Sequence, residues 1–215
     1  MKIAHLGHAC VLVETATTRI LFDPGNFSNQ WHDLEDLEAI VVTHAHPDHI
    51  DPVNIAGLLA LNPQAQILVE PAVLEMVPLP SAQALTAGST VDLGAVRLEA
   101  VGGLHALIHR DIPQIGNIGV VVREPAEPTF CHPGDALDVV PTGIDILATP
   151  AHGPWCAMKE TIDFVRAVGA KQGFLIHDGL INERGWSLTF NRLNEMTPTR
   201  FLDLRATGLV DLVTR

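Results

Sequence analysis

Four side chains that can bind a metal fall within the six residues His44–His49, in the order His-Ala-His-Pro-Asp-His, one threonine after the apolar run Ile40-Val41-Val42. The run reads as a buried strand, so the box begins where a strand ends. His44 and His46 lie two apart. A locally extended chain turns both imidazoles to one side, where two neutral nitrogens can hold one borderline-soft cation, which is half of a tetrahedral site. Asp48 and His49 follow in a turn ahead of Asp51-Pro52, a pair that suits the start of a helix, and this places them to face a second cation. A chain with this box must therefore hold a strand end, a turn and a helix start together, and the spacing points to two metals rather than one.

The box resembles the metal-binding box of the metallo-β-lactamase superfamily, and other landmarks of that family recur in order along nearly the whole chain. Ile20-Leu21-Phe22-Asp23-Pro24-Gly25 is similar to the family's strand-end aspartate, which supports the box from behind. Leu6-Gly7-His8-Ala9-Cys10-Val11-Leu12-Val13-Glu14 resembles the opening hairpin of the branch that includes L-ascorbate-6-phosphate lactonase. Gly103-Leu104-His105 sits where that branch has its isolated third histidine, and Cys131-His132-Pro133-Gly134-Asp135 looks like the Gly-Asp element whose carboxylate touches both metals. Leu175-Ile176-His177-Asp178 matches the strand-end histidine that closes the second site. The surroundings depart from the pattern. His105 precedes Ala106 and Asp135 precedes Ala136 where better-known branches carry hydroxyl residues, and His152 stands where a small residue is expected.

Composition frames this resemblance. At 215 residues the chain is long enough for one well-packed domain, and no Pro/Ser-rich or low-complexity tract divides it, so one domain over 1–215 is expected. A net charge of −12 disfavours nucleic acid and anionic membrane as partners, although two divalent ions would invert the local field at a site. Cys10, Cys131 and Cys156 lack CxxC spacing and read as small buried residues in a reducing compartment. The N-terminus has histidines where a secretion signal would have its apolar core, and no run approaches membrane-spanning length, so a cytoplasmic location is expected.

Strand-like runs at Lys2–His5, Cys10–Glu14, Arg19–Phe22, Ile40–Thr43 and Gln66–Val69 share the first half with helices at Pro52–Leu61 and Pro71–Met76. The second half repeats the rhythm, with strands at Val91–Leu93, Val96–Ala100, Ile118–Arg123, Thr129–Cys131, Ile144–Ala148 and Gln172–Ile176, and helices at Lys159–Val168 and Trp186–Met196. Phe201–Leu204 and Leu209–Val213 close the chain as strand candidates. Two sheet-plus-helix halves imply an α/β protein with two sheets face to face and helices outside. The resemblance implies the four-layer αββα sandwich with mixed sheets, and every expected ligand then falls at or just after a strand end.

The resemblance assigns His44, His46 and His105 to one metal, Asp48, His49 and His177 to a second, and Asp135 to both. Zinc is the first expectation, with manganese or iron as alternatives for such a mixed donor set. The implied reaction is hydrolysis of a small ester, lactone or phosphorylated metabolite by a hydroxide shared by the two ions, with Asp48 orienting it. His46 stands where a flavodiiron-type redox branch carries a carboxylate. The alternative is a metal-binding or nucleic-acid-processing protein of the same fold. A small-molecule substrate is favoured because there is no room for a nucleic-acid-gripping arm, and a homo-oligomer is compatible with the sequence. His152, in a Pro- and Gly-flanked loop after an apolar strand, is expected to reach the site as a general acid. His8 and His132 are left open between the site and a structural role. Trp155 reads as a core or rim residue.

Overall fold

The computed structural model describes residues 1–212. In chain order the elements are β1 (Lys2–His5), β2 (Val11–Glu14), β3 (Arg19–Phe22), β4 (Ala39–Val42), α1 (Ile55–Leu61), β5 (Gln66–Val69), α2 (Val73–Met76), β6 (Gln83–Ala84), β7 (Thr90–Leu93) and β8 (Val96–Leu104). They continue with β9 (Gly116–Arg123), β10 (Phe130–His132), β11 (Ile146–Pro150), α3 (Met158–Val168), β12 (Gln172–Ile176), α4 (Glu183–Met196), β13 (Arg200–Leu202) and β14 (Val210–Asp211). Val213, the last residue of the expected terminal strand, lies outside the described residues.

The strands form two seven-stranded sheets, in the orders β14-β1-β2-β3-β4-β5-β6 and β7-β8-β9-β10-β11-β12-β13. Read in those orders, each sheet has three antiparallel pairings followed by three parallel ones. Alternate residues of a strand face opposite sides, and here both sides are apolar. One set, including Val11, Phe22, Val41, Leu98, Val120, Phe130 and Ile176, packs between the sheets. Leu12, Leu21, Ile40 and Val42 pack outward under α1 and α2, while Val121, Leu147 and Leu175 pack outward under α3 and α4. The four layers are helices, sheet, sheet and helices.

Some boundaries differ from the sequence reading. α1 begins at Ile55 rather than Pro52 because the Asp51 carboxylate accepts from Val53 N and Asn54 N, at 2.8 and 3.2 Å, and closes a separate turn first. β8 runs through Gly102-Gly103 to Leu104 because β9 stays in register alongside it, Gly103 opposite Asn117 and Leu104 opposite Gly116. α4 starts at Glu183 because the Asn182 side chain accepts from the Arg184 and Gly185 amides and caps it. The two-residue strand β6 was not expected. No helix among the described residues is long and apolar enough to cross a membrane.

Candidate metal centre

Every residue of the box lies beyond the C-terminal end of β4, and the other candidate donors leave further strand ends of the same edge. His8 follows β1, His105 follows β8, Asp135 follows β10, and His177 follows β12. The edge is tightly built. Gly25 sits so close under the box that a Cβ there would lie 1.8 Å from the Asp48 carbonyl oxygen. His8, Asp23 and His177 all take positive φ, at 51°, 47° and 58°, a region that costs a non-glycine residue energy and is tolerated where the surroundings enforce it.

The side chains gather into two groups, His44, His46, His105 and Asp135, and His8, Asp48, His49 and His177; within each, one ligand atom per residue lies within 4.8 Å of the others. Each group draws on both sheets. The Asp135 carboxylate reaches into both: Oδ2 is 3.5 Å from His105 Nε2 and 3.9 Å from His44 Nε2, yet also 3.0 Å from His177 Nε2, and Oδ1 is 3.3 Å from His49 Nε2. Asp48 Oδ2 lies 3.6 Å from His177 Nε2 and 3.9 Å from His49 Nε2.

Hydrogen bonds on the far side of each ring set the tautomers. His49 Nδ1 donates to Asp23 Oδ2 at 2.7 Å, His105 Nδ1 donates to the Ala106 carbonyl at 2.6 Å, and His177 Nδ1 donates to the His152 carbonyl. The Thr43 hydroxyl gives its proton to Asp23 Oδ2 at 2.7 Å, so toward His44 Nδ1, 3.0 Å away, it accepts. With Nδ1 protonated, the neutral form of each ring carries its lone pair inward on Nε2. His49 Nε2, His105 Nε2, His177 Nε2 and Asp135 Oδ1 are buried with no hydrogen-bond partner. Buried polar atoms without partners are rare and costly, and four that converge, three of them on rings hydrogen-bonded from behind, fit cation ligation. His46 offers its Nδ1, 3.1 Å from His44 Nε2.

His8 behaves differently. Its Nδ1 accepts from Gly179 N at 3.1 Å, which puts the proton on Nε2, and that proton is donated to Asp48 Oδ2 at 2.9 Å. His8 therefore holds Asp48 in place and has no lone pair left for a metal. His132 is structural: Nε2 donates to the Ala9 carbonyl at 3.0 Å, and Nδ1 accepts from Gly134 N at 3.2 Å. His152 requires a correction. Its ring is exposed and does not line the pocket over the two groups; the loop turns its carbonyl inward, where it accepts from His177. The residue supports a donor through its backbone and is not placed to act as a general acid.

Asn117, for which no role was expected, and Trp155, expected as a core or rim residue, both join Asp135. Asn117 Oδ1 accepts from Asp135 N at 2.9 Å while its Nδ2 donates to the Pro133 carbonyl at 3.1 Å, and Trp155 Nε1 donates to Asp135 Oδ2 at 3.1 Å. The signal for Asn117 was present in the sequence as a polar residue opening the apolar strand Ile118–Val122.

The electrostatics follow from this burial. Desolvation opposes charge on Asp135, but His49 and His177 outweigh it and hold the carboxyl well below its ordinary value. Desolvation also opposes charge on His49, and there Asp135 and Asp23 together outweigh it and raise the imidazole well above its ordinary value. Burial, then the charge of His49, lowers His44 well below its own. Asp48 is desolvated, yet the His8 hydrogen bond and the charges of His49 and His8 bring it down to about 2. Such a site keeps carboxylates ionised and His44 neutral, the forms that bind cations, while His49, which Asp135 and Asp23 favour as the imidazolium, must release a proton to ligate.

A cavity of about 330 Å³ opens over both groups, walled by Phe27, Pro47, Ile108, Pro154, Trp155 and Leu180. A larger hollow of about 760 Å³ lies around the starts of β4 and β5, at Glu38 and Gln66, and none of these donors lines it.

A family model described as a beta-lactamase superfamily domain matches residues 2–174. Protein Rv0786c of Mycobacterium tuberculosis is 40% identical over 202 residues, covering 94% of this chain and 95% of its own. A UPF0173 metal-dependent hydrolase of Sinorhizobium medicae is 35% identical over 153 residues, 63% of either chain. Among solved structures, the metallo-beta-lactamase fold protein YhfI of Bacillus subtilis aligns with a TM-score of 0.74 at 13% identity, covering 97% of this chain and 98% of its own, a likeness of fold.

Proposed function

The chain belongs to the metallo-β-lactamase superfamily, and we propose that within it the protein is a dinuclear metal-dependent hydrolase of a small molecule. His44, His46 and His105 would hold one divalent ion, Asp48, His49 and His177 a second, and Asp135 would touch both. The observation that carries this reading is the set of unpartnered buried atoms, His49 Nε2, His105 Nε2, His177 Nε2 and Asp135 Oδ1, aimed into one space between the sheets. Zinc suits the imidazole-rich donors best, and manganese or iron accept the same set. Ions there would supply water acidified to about neutrality, polarisation of the substrate oxygen and countercharge for the leaving group.

The chain's own residues do the positioning. Asp23 and Thr43 hold the rings of His44 and His49 from behind. His8 fixes one oxygen of Asp48, leaving the other to orient a water or accept its proton. Asn117 and Trp155 fix Asp135 from its backbone and its carboxylate. A substrate seated against the apolar walls would displace water from the donors, which would strengthen each of these interactions. A nucleic-acid substrate is disfavoured by the net charge of −12 and by a pocket lining without Lys or Arg. The three cysteines are free, which supports a cytoplasmic setting.

The test pairs elemental analysis of protein purified without chelator with a hydrolysis screen over esters, lactones, thioesters and phosphodiesters. Metal content should approach two per chain, and turnover should vanish on chelation and return with metal. Content that never exceeds one under metal-replete conditions would sink the dinuclear reading, and inertness toward every substrate class would sink the hydrolase.

A further inference from the structure

The walls of the pocket carry information that its metal-binding floor does not. Resting on the hydrolase reading of the same site, we propose that the pocket selects a substrate whose non-reacting part is an uncharged hydrocarbon, and that it discriminates against substrates with a phosphate or other anion remote from the bond cleaved. Apart from the donors assigned to metal, the polar side chains of the lining are Asn26 and Trp155, and the indole N–H of Trp155 is already given to Asp135. No Lys or Arg lines it. The basic residue of the adjoining loop, Arg110, is exposed beyond the wall residue Ile108 and stands 3.7 Å from Asp111. The apolar walls are themselves open to solvent at the mouth: Phe27 is 48% exposed and Leu180 51%. Large apolar side chains gathered at a cavity mouth mark a surface kept for a ligand rather than for the core.

The physical consequence is a difference between two kinds of substrate. A remote phosphate brought against these walls sheds its water and meets no guanidinium or ammonium fork, the usual means of recovering that loss. A hydrocarbon chain loses nothing polar and gains about fourfold in affinity for each methylene buried. A cavity of about 330 Å³ sets an upper limit to that gain, at the small end of ligand sites.

The test uses straight-chain hydroxamic acids from acetyl to octanoyl, which bring a metal-binding head and a tail of chosen length, titrated calorimetrically into metal-replete protein. The hexanoyl member is compared with its 6-phosphoryloxy derivative. Affinity should rise by about two- to fourfold per methylene until the cavity is filled, and the phosphorylated probe should bind at least tenfold more weakly than its parent. Phe27→Ala should reduce the length dependence, and Leu180→Lys should narrow or invert the preference against phosphate; both positions are half-exposed, so the fold is retained. Affinity that is undetectable or flat with length, or equal binding of the phosphorylated probe, would overturn the proposal. Length-dependent binding by a protein that hydrolyses nothing would leave the pocket's selectivity standing and refute the hydrolase reading alone.

Discussion

Replacing His8 by alanine should weaken one metal position and leave the other nearly intact. The ring is buried and does two jobs: Nδ1 takes the Gly179 amide, and Nε2 gives its proton to Asp48. It touches no donor of the group that contains His44, His46 and His105. Removing it costs Asp48 a charge-assisted hydrogen bond, worth about 1.5–3 kcal/mol. At about 1.4 kcal/mol per factor of ten, that is a ten- to hundredfold loss of affinity, the same range found when partners behind metal ligands are removed. The assay is metal content after equilibration against buffered free zinc over several decades. Wild type should lose its two equivalents at its own thresholds, whereas His8→Ala should shift one threshold upward by that factor and keep the other. His8→Gln, whose amide can both donate to Asp48 and accept from Gly179, should recover part of the shift. Equal weakening of both equivalents would refute the reasoning, because it would mean that His8 acts on the whole strand-end edge and not through Asp48.

Other expectations follow from the same geometry. Asp135→Ala should lower metal content more than Asp48→Asn does, since Asp135 reaches both groups; equal retention would argue against a shared ligand. Gly25→Ala should destabilise the fold by about 3 kcal/mol or more and release metal, because the new methyl meets the Asp48 backbone rather than a yielding side chain; thermal unfolding beside wild type would show it. His152→Gln should leave both metal content and kcat unchanged, since the carbonyl that holds His177 survives; a hundredfold loss confined to poor leaving groups would restore the ring to the chemistry. In metal-stripped protein, Asp48 sits at about 2 in place of its ordinary 3.8, so it contributes stability that is present above 3.8 and lost as pH falls toward 2. Asp48→Asn should flatten that acid limb of the calorimetric Tm profile, and an unchanged slope would refute the assignment.

How much could be read in advance depended on how local each signal was. The box was legible because strand end, turn and spacing all lie within His44–His49. His105, Asp135 and His177 are each isolated in the chain and became legible only by resemblance, since the sheets, not the local sequence, carry them to the box. The part played by His8 depends on Gly179, 171 residues away, which no spacing encodes. His152 shares the strand-end position of His105, Asp135 and His177, yet its ring is exposed, and spacing does not say whether a loop turns its side chain or its carbonyl inward. The fold was more accessible: short continuous apolar runs announced nearly every strand, and errors gathered where a cap or a partner strand decides a boundary, as Asn182 does for α4 and β9 does for β8.

Both candidate donor groups straddle the two sheets, and this would tie metal loading to assembly of the chain. The box has emerged by residue 49, but neither group is complete without a strand end from the second sheet, and one waits for His177. An ion at either position would act as a removable crosslink between the halves, formed only once they have docked. Because it binds the docked arrangement alone, free metal at a hundred times its dissociation constant would add about 2.7 kcal/mol per position to the native state. The open edge of a sandwich is ordinarily where the layers part most easily. Here that edge would be the fastened one, with the tightness of the fastening set by the supply of metal around it.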